Sequence, residues 1–283
     1  MYFNSLKIKL KEIGIEDGDV LYVASDIKTL LFYGNEKGCF NDKITQDKFI
    51  NSFIDSIISA IGSKGTVLFP AFSWEFCRGN GFNIHYTKSE VGSLSNWIIK
   101  NRNDFIRTRH PLYSFMVYGR FAKEFVEMDY QDAWGEASLF RYFHENNSKQ
   151  LLFNIESYQG LTFAHYVEQC INIPYRHPKY FFGKYVDEKG KEEIRCYSMY
   201  VRDINVDSLC GIHNEFLIDN GVAKQTNWNK NVLTVVELGK SFEIIKNDMI
   251  CNNGKNTLIF NNYVLDWTSK RTIKYEIGGL VDE

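Results

Sequence analysis

The stretch that decides the fold is T-Q-D-K-F-I-N-S-F-I-D-S-I-I-S-A-I-G-S-K-G-T-V-L-F-P-A-F, residues 45–72, taken with V-L-Y-V-A-S at residues 20–25. In residues 45–61 apolar side chains recur every three or four positions, which predicts a helix that ends at Gly62. Residues 20–25 and 66–72 are short apolar runs that follow glycine turns, which predicts two buried strands. Strand, helix and strand in this order predict an α/β fold.

The same criteria predict further elements along the chain. Helices are expected near the N-terminus and at residues 90–99, 121–128 and 138–145, with Ser89 as N-cap of the first of these three. Strands are expected at residues 115–118, 151–155, 181–182, 194–201, 232–238, 242–245 and 258–260. We therefore expect one domain over residues 1–283. It has a central mixed β-sheet flanked by helices in an α/β core of about residues 1–180, and a β-rich C-terminal portion of about residues 181–283.

Composition excludes several classes of function. The 283 residues are 44% hydrophobic and carry a formal net charge of -2, without basic runs, so no nucleic-acid partner is expected. No apolar stretch reaches the roughly 18 residues that span a bilayer, and the N-terminus does not resemble a signal peptide. The six cysteines are far apart and form no C-x-x-C pair, so reduced thiols are expected. These features predict a cytoplasmic protein without a membrane partner.

The stretch G-L-T-F-A-H-Y-V-E, residues 160–168, carries the strongest chemical signal. On a helix, Thr162, His165 and Glu168 share one face because residues three apart are neighbours. A carboxylate beside an imidazole fixes its tautomer, and imidazole moves protons near neutral pH. We therefore expect these three residues to be catalytic. The alternatives are a structural histidine satisfied by its neighbours, or half of a metal site. No H-E-x-x-H or cysteine pair accompanies the motif, and no metal is expected.

A second candidate is the loop R-T-R-H-P-L-Y-S, residues 107–114. Its Arg107, His110 and Ser114 precede a predicted strand, and such loops grip phosphate oxygens because arginine offers a bidentate fork. The alternative is a surface loop whose arginines pair with neighbouring acids.

Two further candidates lie at the ends of elements. Ser89 and Val91 stand at a predicted helix start, where free N–H groups and the helix dipole suit an anion or a carbonyl oxygen. Ordinary helix capping is the alternative. Ser25 and Asp26 end the first strand, and in open α/β sheets ligands gather beyond the carboxyl ends of strands. There the alternative is a turn that caps the next helix.

Taken in order, the motifs resemble those of the aminoglycoside 3-N-acetyltransferase family. Each is weak alone, but their order is specific, and no P-loop, G-x-G-x-x-G or G-x-S-x-G motif competes with them. The motifs are G-D (18–19), G-T-V-L-F-P (65–70), S-E-V-G-S-L (89–94), R-T-R-H-P-L-Y-S (107–114), W-G-E-A-S (134–138), T-F-A-H-Y-V-E (162–168) and I-P-Y-R (173–176).

The resemblance implies a fold and an activity. The fold is the antibiotic N-acetyltransferase type, distinct from the larger GCN-type acetyltransferase fold. The activity is transfer of an acetyl group from acetyl-CoA to a primary amine, with His165 as general base and Glu168 orienting it or holding the substrate ammonium. Thr162 would lie along the acyl-CoA path, together with the candidates from the first strand's end, the predicted helix start and the loop of residues 107–114. These are Ser25, Asp26, Ser89, Val91, Arg107, His110 and Ser114.

The resemblance leaves the acceptor open between an aminoglycoside, which would give antibiotic resistance, and an amino sugar such as a nucleotide-linked sugar. The small net charge favours the second, because aminoglycosides are polycations. Two departures from the family pattern motivate an alternative. One is A-S-D at residues 24–26, and the other is Asn154, which ends a segment where the family commonly has L-G. In this alternative the chain is a non-catalytic acyl-CoA- or sugar-binding relative. The sequence leaves the oligomeric state open, with a homodimer as one option.

Overall fold

The computed structural model describes residues 3–261, 263–269, 271–276 and 279–281, with side chains up to residue 269. Its largest sheet has seven strands. In spatial order these are β10 (Ala223–Trp228), β11 (Asn231–Glu237), β6 (Lys149–Phe153), β1 (Val20–Ser25), β2 (Thr66–Pro70), β5 (Phe115–Gly119) and β4 (Ile106–Arg107).

The sheet is mixed, as the sequence predicts. Strand β1 runs parallel to both β2 and β6, whereas the remaining pairs in the sheet are antiparallel. The carboxyl ends of three parallel strands therefore meet at one edge, which is where open α/β sheets bind ligands.

Helices cover both faces of this sheet because the side chains of β1 alternate. Leu21 and Val23 belong to one buried cluster, which is built with α1, α3 and α4. Tyr22 and Ala24 belong to the other, which is built with α5, α6, α8 and α10. The helices are α1 (Asn4–Glu12), α2 (Lys28–Glu36), α3 (Lys43–Ile61), α4 (Ser93–Asn101), α5 (Ala122–Glu127), α6 (Leu139–Glu145), α7 (Ser157–Gly160), α8 (Phe163–Cys170), α9 (Asn214–Asp219) and α10 (Leu238–Cys251).

Smaller sheets complete the structure. A long hairpin of β7 and β8 pairs with β3, and two further sheets lie towards the C-terminus. Their strands are β3 (Phe82–Asn83), β7 (Arg176–Val186), β8 (Glu192–Arg202), β9 (Ser208–Cys210), β12 (Leu258–Phe260), β13 (Tyr263–Asp266), β14 (Arg271–Glu276) and β15 (Gly279–Val281). Within the part of the chain that the structure describes, none of the helices combines the length and the apolar composition needed to cross a membrane.

The helix of the opening stretch is confirmed and has clear ends. It starts at Lys43, where the Asp42 side chain accepts from the Thr45 N–H and the Thr45 hydroxyl accepts from the Asp42 N–H. This reciprocal capping satisfies two N–H groups that the first turn leaves without partners. The helix stops at Gly62, whose φ of 67° is reached easily only by glycine.

The predicted strand at residues 242–245 is wrong, because these residues lie within α10. Phe242, Ile245 and Met249 are buried at spacings of three and four, which is a helical period. The C-terminal third is rich in strands, as expected. However, β10 and β11 extend the central sheet instead of packing on it.

The predicted start of α4 is also wrong. The helix begins at Ser93 with Gly92 as N-cap, three residues later than expected. The Ser89 hydroxyl bonds the backbone of Val91 instead of capping a helix. Ser and Thr hydroxyls often compete for nearby backbone groups in this way.

Candidate active site

The helix α8 carries residues 163–168 of the motif and follows β6 after the short helix α7. Gly160 lets the chain pass closely over the sheet, because a Cβ there would lie 3.0 Å from Leu152 Cδ2. Thr162 occupies the N-cap position at the N-terminus of the helix, and its side chain forms no capping hydrogen bond. The helix buries Phe163 and Val167 against the sheet and leaves His165 half-buried.

His165 and Glu168 form the contact that the three-residue spacing predicts. His165 Nδ1 lies 2.6 Å from Glu168 Oε2. The imidazole side chain is 35% exposed whereas the carboxylate is 3% exposed. A buried carboxylate therefore holds a ring that reaches solvent.

Arg176 and Tyr175 complete this cluster, and the sequence did not identify them as site residues. Arg176 Nε lies 2.9 Å from Glu168 Oε2, and the Tyr175 hydroxyl donates to Glu168 Oε1. Tyr175 and Arg176 follow α8, and Arg176 is the first residue of β7. They belong to the I-P-Y-R run, which the sequence analysis uses only as a family motif. One physical signal points to them: a carboxylate within an otherwise apolar helix needs a cation or several donors.

The cluster keeps Glu168 ionised. Burial alone would raise the pKa of Glu168. The charges of Arg176 and His165, and hydrogen bonds from His165 and Tyr175, instead lower that pKa to about 2. Burial acts against the charge of Arg176, yet the Glu168 carboxylate raises the pKa of that guanidinium. The two side chains are thus a buried ion pair at neutral pH.

The partners of Nδ1 assign the tautomer of neutral His165. An ionised carboxylate at 2.6 Å accepts the Nδ1 proton, which leaves the Nε2 lone pair free. Arg176 Nη2 also lies 3.3 Å from Nδ1, and a donor there favours the opposite tautomer. The carboxylate contact is shorter and charge-assisted, so it dominates.

A cavity of about 210 Å³ lies at the carboxyl ends of the parallel strands. It brings together Ser25, Val91 and Thr162, three of the predicted acyl-CoA residues. Tyr22 lines the same cavity, and its hydroxyl lies 3.5 Å from Thr162 Oγ1. His165 does not line the cavity; it lies about one helical turn beyond Thr162, which does.

Ser89 and Asp26 lie beside the cavity residues without lining it. The Ser89 hydroxyl donates to the Val91 carbonyl at 2.7 Å, and Asn96 bonds the Ser89 backbone twice, so this loop is fixed internally. Asp26 Oδ1 accepts from the Lys28 N–H at 2.9 Å. That contact fits the turn-capping alternative.

The guanidinium of Arg107, which the sequence predicts to grip phosphate, bonds protein groups in this structure. Arg107 is 5% exposed, and its guanidinium donates to Ser114 Oγ at 3.0 Å and to the Ala71 carbonyl at 2.7 Å. It also lies 4.8 Å over the ring of Phe82. Burial without a carboxylate partner lowers the pKa of Arg107 to about 10. The side chain therefore braces three segments of the core.

His110 and Ser114 are enclosed in the same way. His110 Nδ1 accepts from the Tyr113 N–H at 3.2 Å, and Nε2 lies 3.3 Å from the Gln131 carbonyl. Complete burial lowers the pKa of His110 to about 3, so the ring is neutral. The Ser114 hydroxyl donates to the Ala71 carbonyl. The polar atoms of both residues thus have partners inside the core.

Arg109 is the arginine of this loop that matches the surface alternative. Its Nε lies 2.7 Å from Glu188 Oε1, and both side chains are about one-third exposed. The loop thus contributes one surface ion pair, through Arg109, and one buried arginine, Arg107, that holds core segments together.

Comparison with known proteins gives a family match over most of the chain. The model of the aminoglycoside 3-N-acetyltransferase family matches residues 44–249, which include α8 and the loop that carries Ser89 and Val91. Among the curated proteins no match is found.

Solved structures share the fold at low identity. Aminoglycoside acetyltransferase AAC(3)-Xa has a TM-score of 0.69 at 14% identity, over 87% of this chain and 93% of its own. AAC-VIa bound to sisomicin has a TM-score of 0.65 at 18% identity, over 86% and 96%. AAC-IIIb with CoASH has a TM-score of 0.65 at 16% identity, over 86% and 94%.

Proposed function

This chain belongs to the aminoglycoside 3-N-acetyltransferase family, and we propose that it moves an acetyl group from acetyl-CoA to a primary amine of an amino sugar, with His165 as general base. Membership of the family makes it an acetyl-CoA-dependent N-acetyltransferase. The observation that carries the proposed role of His165 is the half-exposed imidazole held by a buried, ionised carboxylate.

The chemistry needs one base and no covalent intermediate. A thioester is already activated, but an amine is protonated at neutral pH and attacks only after it has released one proton to solvent. As the neutral nitrogen bonds to the acetyl carbon, His165 Nε2 takes a second proton from that nitrogen, a step worth ~10²–10⁴-fold in rate. The carbon–sulfur bond then breaks, and the proton passes to the departing sulfur. The products are the N-acetylated sugar and free coenzyme A.

Glu168 and Arg176 act through His165 in this proposal. The carboxylate holds the ring on its Nδ1 side and stabilises the imidazolium that forms during the step. Arg176 keeps the carboxylate ionised. Tyr175 bonds the other carboxylate oxygen and limits its rotation.

The cavity is the proposed place of the thioester end. Ser25, Val91 and Thr162 line it, and its hydroxyls offer hydrogen bonds to an acyl or amide oxygen. Coenzyme A is far larger than about 210 Å³, so most of the molecule would lie outside. Asp26 and Ser89 would then shape the rim. The complex of AAC-IIIb with CoASH supports coenzyme A as the donor.

The acceptor class is a finer proposal. AAC-VIa binds sisomicin, so an aminoglycoside is one candidate. A polycation is bound best by several unpaired carboxylates, yet the carboxylate beside His165, that of Glu168, is neutralised by Arg176. The net charge of -2 adds little attraction. These features favour an amino sugar with one amine, such as a nucleotide-linked sugar.

The non-catalytic alternative rests on the departures from the family pattern, and one of them is conservative. Asn154 has φ of 56°, a left-handed conformation that glycine and asparagine share. Its side chain also accepts from the Val232 N–H at 2.8 Å, which ties β6 to β11. The substitution therefore preserves the turn and gives no reason for loss of activity.

A thiol-release screen with acetyl-CoA tests the proposal. Nucleotide-linked amino sugars and kanamycin-type drugs are offered in parallel, with His165→Ala as control. We expect release with amino sugars that depends on His165. Release with kanamycin-type drugs alone would overturn the acceptor class. Binding of coenzyme A without release for any amine would support the non-catalytic alternative.

A further inference from the structure

We propose that Glu156, His213 and Glu215 form a binding site for a divalent transition-metal ion, separate from the acetyl-transfer site. One ligand atom from each side chain lies within 4.8 Å of the others. Glu156 precedes α7, while His213 and Glu215 lie at the start of α9. The site thus joins two segments that are far apart in sequence.

Buried neighbours hold these two segments in place. Ser157 follows Glu156, and Asn214 lies between His213 and Glu215; both are almost fully buried. The Ser157 hydroxyl donates to Asn214 Oδ1 at 2.6 Å, and the Ser157 N–H donates to the same oxygen at 3.0 Å. Because this clamp lies between the ligand residues, their backbones are fixed before any ion binds.

The orientation of the side chains is also supported. The Asn214 N–H donates to Glu156 Oε2 at 3.4 Å, and the Glu156 side chain caps α7. The ring of His213 packs at 5.1 Å from the ring of Tyr158. Such supporting contacts are typical of metal ligands, whose partners orient the donor atoms. A carboxylate has enough lone pairs to serve both a backbone N–H and an ion.

Charge points to a cation as the occupant. Two carboxylates converge here, and they repel one another at neutral pH. Among the residues whose side chains are described, no lysine or arginine forms an ion pair with Glu156 or Glu215. A divalent ion supplies the missing positive charge.

The ligand set selects the kind of ion. One imidazole nitrogen and two carboxylate oxygens suit zinc, with water as the fourth ligand, whereas calcium and magnesium prefer oxygen alone. Ligands of tetrahedral zinc lie roughly 3.3 Å apart, given bonds of about 2.0–2.1 Å. The ligand atoms here lie within 4.8 Å of one another, and rotation of the exposed His213 and Glu215 side chains would bring them to the zinc spacing.

The position of the site predicts what the ion does. Ile155 and Gln159 line the cavity and flank Glu156 in the chain. A bound ion would cross-link this part of the cavity wall to α9 and stabilise the folded state. The inference does not depend on which acceptor the enzyme uses.

The test uses the full chain, stripped with chelator and dialysed. Calorimetry with Zn²⁺ is expected to show one equivalent bound, and Zn²⁺ is expected to raise the melting temperature. Glu156→Gln, His213→Asn and Glu215→Gln should each weaken binding at least ~10-fold. Asparagine suits the N-cap position of His213, so that variant keeps the helix start.

His177→Asn is the matched control, because His177 is an exposed histidine 2.6 Å from a carboxylate oxygen of Asp203. It should leave Zn²⁺ binding unchanged. Absorbance of the Co²⁺ form checks for thiolate ligands, and none is expected. Unchanged affinity in the three site variants, a thiolate spectrum, or binding of less than one equivalent would each overturn the proposal.

Discussion

Two regions of this protein each combine a histidine with an arginine, and their surroundings differ completely. His165 on α8 is 35% exposed, and its arginine neighbour pairs with a buried carboxylate. His110 is 1% exposed, and Arg107 in the same loop bonds backbone carbonyls and a serine. The comparison shows that a histidine or arginine can act on a ligand only where the fold leaves its donors or lone pairs accessible. The sequence motif alone does not reveal which of these groups are accessible.

The largest effect is expected for His165→Ala, which removes the only proposed base. Turnover should fall ~10²–10⁴-fold, while coenzyme A affinity stays within a few-fold. Stability should change by about 1 kcal/mol or less, because the ring is partly exposed. Thiol-release kinetics and calorimetry measure the two quantities. Near-normal turnover in a folded variant would remove His165 from the mechanism.

Arg176→Met tests the ion pair behind the base. The change leaves the Glu168 carboxylate buried beside Tyr175 without its cation, and breaking a buried pair costs about 3–5 kcal/mol. Urea unfolding at neutral pH measures this loss. A loss below ~1 kcal/mol would mean that Glu168 takes up a proton or finds another partner at little cost.

The two regions should also differ in acid. The pKa of His110 is about 3 in the fold and 6.5 ordinarily, so its contribution to stability is complete above pH 6.5. This contribution to stability is lost as pH falls from 6.5 towards 3, because in that range His110 binds a proton in the unfolded chain but not in the folded protein. For Glu168 the corresponding window runs from 4.5 down to about 2. The loss between pH 6.5 and 4.5 therefore belongs to His110 and not to Glu168.

Denaturant unfolding at pH 7 and pH 4.5 separates the two contributions. Between these values, the wild type should lose about 2–3 kcal/mol more than His110→Asn, from roughly two pH units at about 1.4 kcal/mol each. His144, whose pKa burial also lowers, contributes equally to both proteins. An equal loss in both proteins would show that His110 binds a proton inside the fold.

The smallest effect is expected for Arg107→Met. This variant distinguishes a structural role of Arg107 in the core from a role in binding phosphate oxygens of acetyl-CoA. The variant removes the arginine donors to the Thr87 carbonyl and to the Ser114 hydroxyl, and one of the two side-chain donors to the Ala71 carbonyl, so stability should fall by about 2 kcal/mol. The KM for acetyl-CoA should change less than about threefold. A large rise in KM with unchanged stability would restore the phosphate role that the sequence suggested.

Local patterns predicted much of the core. The apolar period of residues 45–61 and the apolar run of residues 20–25 gave α3 and β1 almost to the residue. The pair of His165 and Glu168 followed from helical spacing alone. These predictions held because the contacts involved are local or recur along one face.

The failures involve contacts between distant segments. Arg107 looked like a ligand residue because nothing local reveals that Ala71 and Thr87 receive its donors. Arg176 was missed because its role depends on a carboxylate that β7 meets only after folding. The strand assigned to residues 242–245 failed because four residues, three of them apolar, are too short a window to separate strand from helix.

The tautomer of neutral His165 tests the central claim most directly, since a base needs a free lone pair facing the substrate. Nitrogen-15 NMR of selectively labelled protein, with His165→Gln for assignment, reports which ring nitrogen carries the proton. We predict a proton on Nδ1, donated to Glu168, and an unprotonated Nε2. A proton on Nε2, with Nδ1 accepting from Arg176 at 3.3 Å, would contradict the account.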